Sequence, residues 1–213
     1  ELREAIREVW ADMVFLQEVL GEHARHAQRH ANWPQGPQYE FLADSLWTQF
    51  AYGRNAVYPH GHHGNALLSR FPIVSHINRD VSVQGHEQRG LLHAVVQVPG
   101  LAQQLHTICV HLGLRESHRQ RQIELLCAII AEVIPADAPL VVAGDFNDWR
   151  HRGHAALKRC GLREVFEQAH GRLKRTFPSH CRLLAVGRIY VRNGRASEPA
   201  QLSSHPWSEL SDH

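Results

Sequence analysis

The stretch "PLVVAGDFND", Pro139 to Asp148, decides how the rest of the chain is read. Leu140 to Gly144 form an unbroken run of apolar or small residues, the pattern of a strand buried on both faces. The run stops at Gly144 and delivers Asp145 and Asn147 with one residue between them. Taken alone, such a pair most often closes an Asx turn. It becomes a site only if other elements bring polar partners to the same strand end.

Working outward, "ESHRQRQIELLCAIIAEVI" (116–134) places Ile123, Leu126, Ile130 and Val133 on one helical face and is stopped by Pro135. Leu2, Ile6 and Val9 predict a helix over 1–9, followed by a strand, "MVFLQEV", that ends in a carboxylate. Residues 21–39 read as a polar loop and "EFLADSLW" as a short helix. Strands follow over 64–70, 73–80, 90–98 and 103–111, divided by the Gly, Pro, Asn and Gln punctuation of antiparallel pairing. One or two helices, broken near Gly161, occupy 154–168. "GRIYVRN" is a strand, and 197–210 is mostly loop with a short strand near 200–202. Many strands with a few helices, one of them long, argue for packed sheets flanked by helices.

Composition narrows the functional classes. The chain has 213 residues, 43% hydrophobic and 21% charged, as an ordinary single globular domain does. Lys and Arg number 23 against 21 for Asp and Glu, a net charge of +2, so charge alone gives a polynucleotide partner little support. Eighteen histidines are the compositional oddity. Four cysteines follow no metal or dense disulfide spacing. Cys109 and Cys127 lie in apolar runs and read as buried thiols, which suits a reducing, cytoplasmic compartment. No apolar stretch reaches transmembrane length. A Ser-His-Asp hydrolase would need a GxSxG elbow, and the chain has none.

Other predicted strands also end in polar groups. Glu18 lies near the end of "FLQEV", Asn65 near the start of "GNALLSRFPI", Arg89 precedes "GLLHAVV", His111 lies in "VHLGL", and Asp212 and His213 close "LSDH". A carboxylate costs several kcal/mol to bury unpaired, so strands repeatedly ending this way point to one shared cleft. Glu18 and Asp212 are hard oxygen donors suited to Mg²⁺ or Mn²⁺. Asp145 and Asn147 can position a water nucleophile or a metal. Two histidines can serve as general base and as donor to a phosphoryl oxygen, and Arg89 offers a fork for phosphate.

"FLQEV", "GNALLSRFPI", "VHLGL", "GDFND", "GRIYV" and "LSDH", in that order, resemble the endonuclease/exonuclease/phosphatase superfamily with its DNase I-like fold, and look most like its generic bacterial branch. The resemblance implies an α/β, four-layer αββα sandwich, two mostly antiparallel sheets packed face to face with outer helices. It implies a divalent-metal phosphoesterase of nuclease-like type, with Glu18 and Asp212 on the metal side. His111 would stabilise the scissile phosphate, Asp145 and Asn147 would orient the attacking water, and His213 would be the general base. Asn65 and Arg89 would face substrate. The implied partner is a phosphate ester, nucleic acid or a phospholipid head group. A phospholipid or inositol-phosphate phosphoesterase, or a weakly active or inactive relative that binds phosphorylated ligands, is the alternative.

Departures from the pattern matter. The family's first strand, with its metal-proximal Asn, and the apolar strand that follows "SDH" have no counterpart here. The expectation is therefore one such domain over 1–213, cut at both ends. Where the family writes an Asp directly before the Arg of "RIYV", this chain has Gly187. That Asp orients the catalytic His, so its loss predicts weak activity. His60, His62 and His63 in "HGHHG" lack an acid or Cys nearby and read as surface histidines rather than zinc ligands. Trp33, Trp149 and Trp207 read as loop residues that pack locally, with base stacking as the alternative use.

Overall fold

The computed structural model describes residues 1–23, 36–83, 86–179, 181–202 and 205–212, the side chains of 22 and 23 excepted. Helix α1 spans Leu2–Val9 and strand β1 Met13–His23. After α2 (Gln38–Ala43) come β2 (Gln49–Tyr58), β3 (Gly61–Ser69), β4 (Ile73–Asp80), β5 (Gly90–Val96) and β6 (Leu105–His111). Helix α3 (Glu116–Val133) crosses to β7 (Leu140–Asp145). Then follow α4 (Arg152–Arg159), β8 (Arg163–Glu164), α5 (Val165–His170), β9 (Gly187–Arg192) and α6 (Trp207–Leu210).

Among the described residues these strands form two sheets, one in the order β1-β3-β2 and one in the order β4-β5-β6-β7-β9-β8. Every pairing is antiparallel except β6 with β7. A parallel neighbour cannot be reached by a tight turn, and α3 supplies the crossover. This is what positions the site. The parallel ladder brings the C-terminal ends of β6 and β7 together, with His111 the register partner of Asp145.

The sheets face each other across Ala51, Leu67, Leu92, Ala94, Val96 and Cys109, with Met13 and Phe15 packed against them. Helices α3 and α4 cover the outer face of the larger sheet, where Ile123, Leu126, Ile130 and Leu157 meet Ile108, Val142, Phe146 and Tyr190. Ile6 of α1 and Leu42 of α2 cover the smaller sheet beside Trp47 and Leu68. The layers run helix, sheet, sheet, helix, the four-layer α/β sandwich that the motifs imply.

Some readings are corrected. Cys127 is no free thiol: it is joined to Cys160, and the bond ties α3 to the end of α4. Of the two cysteines expected to be buried thiols, one is therefore oxidised. Cys109 is buried and free, and burial pushes its thiol up to about 12. Strand β2 was not visible in the sequence, because Gly53, Arg54 and Asn55 interrupt its apolar pattern. It pairs with β3 alone, on the outside of its sheet. Val133 is exposed, and Ile134 completes the buried stripe instead. No strand forms at 200–202, and 207–210 is helical. No helix among the described residues is long and apolar enough to cross a membrane.

Candidate active site

The strand-end residues are placed by three local devices. The first is a β-bulge in β1. Leu16 pairs with Ala66 and Val19 with Gly64, so Gln17 and Glu18 together oppose Asn65. Glu18 takes φ 56°, a left-handed conformation uncommon outside glycine. A bulge re-aims a side chain, and here Glu18 is exposed between the half-buried Gln17 and the buried Val19. Its charge reaches Tyr58 and His63. Burial raises the Tyr58 phenol and Glu18 adds to the rise. Burial depresses the His63 imidazole, Glu18 opposes this, and Arg89 and His62 reinforce it. Glu18 and Arg89 thus flank the same histidine.

The second device is the end of β7. Gly144 takes φ 141°, and a Cβ there would lie 2.0 Å from the Val110 carbonyl oxygen, so only glycine lets β7 approach β6 this closely. Asp145 and His111 are both buried, with His111 Nε2 3.6 Å from Asp145 Oδ2. Asp145 Oδ1 accepts the Asn147 backbone N–H at 2.9 Å, and Asn147 Nδ2 donates to the Leu112 carbonyl at 2.8 Å. The Asx turn is therefore present, and it also stitches the two strand ends together.

The third device is a buried clamp that the sequence reading missed. Arg188 Nη1 donates to Asp148 Oδ2 at 3.0 Å, and Arg188 Nε donates to the Ala185 carbonyl. Asp148 Oδ2 also accepts the Gly153 and His154 backbone N–H groups at the start of α4. Both partners of the pair are buried. Behind His111, Gln122 Oε1 accepts the Gly113 N–H, and Arg119 Nη1 donates to the Gly113 and Leu114 carbonyls. Nothing in the sequence singles out Arg119 and Gln122, which lie in the polar first half of α3 and are buried by the packing of that helix.

A cavity of ≈620 Å³ opens between β1, β7 and β9, and Glu18, Asp145 and Gly187 share its wall with apolar residues of α1 and α6. Among the expected site residues, the structure therefore brings Glu18 and Asp145 to one cavity, with His111 and Asn147 against Asp145. Asn65 is fully buried: its Nδ2 donates to the Gly90 and Cys109 carbonyls, linking the two sheets. Arg89 is half-buried beside Ser82, whose Oγ accepts its backbone N–H. Asp212 is exposed, and its carbonyl accepts the Ser179 N–H. His213 lies outside the described residues, as does Trp33. Glu209 pairs with His205 at 3.3 Å, within its own turn. His62 hydrogen-bonds the Tyr52 hydroxyl, and His63 packs on Tyr58.

The whole chain, residues 1–213, matches the model of the "Endonuclease/Exonuclease/phosphatase family". It belongs to that family. A relative in Escherichia coli K12, "Uncharacterized protein YbhP", is 54% identical over 214 residues, covering 100% of this chain and 84% of that protein. Among solved structures, the endonuclease/exonuclease/phosphatase from Bacteroides vulgatus superposes with a TM-score of 0.71 at 16% identity, covering 100% of this chain and 85% of that one. D. rerio TDP2 complexed with single strand DNA product gives 0.60 at 20% identity, covering 93% and 77%. At these identities the structures speak for the fold, which is that of the DNase I-like proteins.

Within an endonuclease/exonuclease/phosphatase frame, the donor chemistry can be tested for a divalent ion. No three His, Cys, Asp or Glu side chains gather as a cage among the described residues. Magnesium does not need one, since it takes one or two carboxylates and completes its shell with water and phosphate oxygens. An outward Glu18 carboxylate facing the cavity of Asp145 is a donor set of that kind.

Proposed function

We propose that this protein is a divalent-metal phosphoric ester hydrolase acting on phosphodiesters. The observation that carries the reading is the Asp145–His111 contact of 3.6 Å at paired strand ends, with Asp145 in the cavity wall that Glu18 also lines. Glu18, supported by Asp212, would hold Mg²⁺ or Mn²⁺. Bound there, the ion would supply Lewis-acid polarisation of a phosphoryl oxygen. Asp145 and Asn147, locked to each other by the turn, hold the attacking water in line with the ester. His111 donates through its imidazole to the phosphoryl oxygen that gains charge, and its burial beside Asp145 makes that interaction stronger than it would be in water. His213 takes the proton from water. Arg89, near His63 and Glu18, contributes a positive charge on the substrate side.

Gly187 favours a second reading, a relative that binds phosphorylated ligands with little turnover, because no carboxylate stands there to orient His213. Hydrolysis of bis(p-nitrophenyl) phosphate with and without Mg²⁺ separates the two. Under the enzymatic reading, turnover requires the metal, His213→Ala abolishes it, and His111→Gln and Glu18→Gln each lower kcat by about 10²-fold or more. Phosphate-ester binding without turnover, metal present, would establish the second reading.

A further inference from the structure

A second concavity, ≈740 Å³, lies beside the candidate active site and is of the opposite character. Arg172, Lys174, Arg175 and Arg182 line it together with Trp149 and His151, and no acidic side chain among the described residues does so. The whole chain carries a net charge of only +2, so this is a local concentration of cations. Arg172, Lys174 and Arg175 are exposed.

The groove is built rather than a loose, solvated loop. Thr176 and Phe177 donate their N–H groups to the Leu184 carbonyl, and Leu183 and Leu184 donate theirs to Phe177, closing a hairpin that presents the cations. Gln201 Nε2 donates to the Arg175 carbonyl and Arg182 Nη2 to the Leu202 carbonyl, fixing the rim. Trp149 is held in place by the Arg119 guanidinium, 4.6 Å from its ring centroid.

The groove also adjoins the reacting groups. Trp149 follows Asn147 by two positions. Arg119, which pins it, bonds the loop that follows His111. Thr176 Oγ1 accepts the Gly187 N–H at 2.9 Å, and Gly187 is the ladder partner of Asp145. Ser179 of the hairpin donates its N–H to the Asp212 carbonyl.

Cations spaced along a groove with an aromatic surface beside them match a chain of phosphates interleaved with flat bases. We propose that this groove binds the backbone of single-stranded nucleic acid, with Arg172, Lys174, Arg175 and Arg182 on successive phosphates and Trp149 stacking a base, and so feeds a phosphodiester to the Asp145 site. The proposal rests on the phosphodiesterase reading for the reaction but not for the binding. A compact polyphosphate has no use for Trp149, and an anionic membrane surface cannot enter a concavity.

The test is fluorescence anisotropy of a labelled deoxythymidine dodecamer with the full chain, EDTA present, across a salt series. The wild type binds it. The Arg172→Ala/Lys174→Ala/Arg175→Ala variant, whose exposed side chains can be removed with the melting temperature unchanged, binds at least about tenfold more weakly. Its slope of log K against log salt flattens by about 2, from three lost phosphate contacts. Trp149→Ala weakens binding about tenfold without changing the slope. Equal dodecamer binding by the triple variant and the wild type overturns the proposal. So does wild-type binding of inositol hexakisphosphate or phosphatidylserine vesicles but not of the dodecamer. Hydrolysis of bis(p-nitrophenyl) phosphate is scored separately. Charge-dependent dodecamer binding without it keeps the groove and removes the catalytic reading, and hydrolysis without dodecamer binding does the reverse.

Discussion

Gly187 stands directly across the ladder from Asp145 and beside the hydroxyl of Thr176. A Cβ added there would lie 3.2 Å from Thr176 Oγ1, so that neighbour must give by a few tenths of an ångström. A carboxylate at this position would also face Asp145 across the pair, where like charges oppose each other. Both costs are small beside the gain from orienting a general base, whose loss in a comparable triad is worth several orders of magnitude. Gly187→Asp is therefore expected to raise metal-dependent turnover about tenfold or more, with a slightly lower melting temperature. A variant no faster than the parent would remove Gly187 from any account of His213. Glu18 carries the complementary lesson, because its positive φ belongs to the bulge that turns its carboxylate outward, and the cavity it lines is shared with Asp145.

At the scale of elements, the turn after β7 depends on contacts that do not touch substrate. Arg188 on β9 and Asp148 after β7 form a buried ion pair, and Arg188 donates further to the Ala185 and Asp148 carbonyls, the Tyr190 hydroxyl and the His151 ring, while Asp148 Oδ1 has no partner among the described residues. Removing one partner leaves the other charge buried and unpaired. Arg188→Ala should cost about 3–5 kcal/mol, read as a lower urea midpoint, whereas Arg188 replaced together with Asp148 by apolar residues should cost less than either single change. On the outer layer, Cys127 and Cys160 close a loop of sequence separation 33 between α3 and α4. Chain-entropy reasoning gives such a crosslink about 2–4 kcal/mol. Adding dithiothreitol should lower the urea midpoint accordingly, and an unchanged midpoint would mean the bond contributes nothing to the folded state.

For the molecule as a whole, acid stability is the property most exposed to its many histidines. His93 on β5 is buried and hydrogen-bonded to His106 on β6 at 2.9 Å. Burial, then His106 and Arg79, pull its imidazole down to about 4, and burial with Arg192 depresses His106 as well. The unfolded chain takes up protons near pH ~6.5, while the folded His93 refuses one until about pH 4. Unfolding therefore binds protons in that window, and stability falls as pH drops through it, levelling off below. The His93 share is about 3 kcal/mol at most. Denaturant titrations across this range should show the decline, and His93→Phe should flatten it. An unchanged slope in that variant would place the acid sensitivity elsewhere.

Local pattern alone determined the strands with clean apolar runs, the long helix α3, and the identity of the polar residues at strand ends, because periodicity and turn chemistry are written in neighbouring residues. "PLVVAGDFND" could be read as a buried strand that delivers an acid and an amide, and the ordered motifs carried the family and its layered fold. The register that sets His111 beside Asp145, the bulge that turns Glu18 outward, and the burial of Asn65 between the sheets were decided by tertiary pairing. So were the Arg188–Asp148 clamp, the Cys127–Cys160 bond and the gathering of Arg172, Lys174, Arg175 and Arg182 round one groove beside Trp149. Each depends on residues distant in the chain coming within a few ångströms. No local periodicity records such distances, because they are set by how the sheets and helices pack against one another.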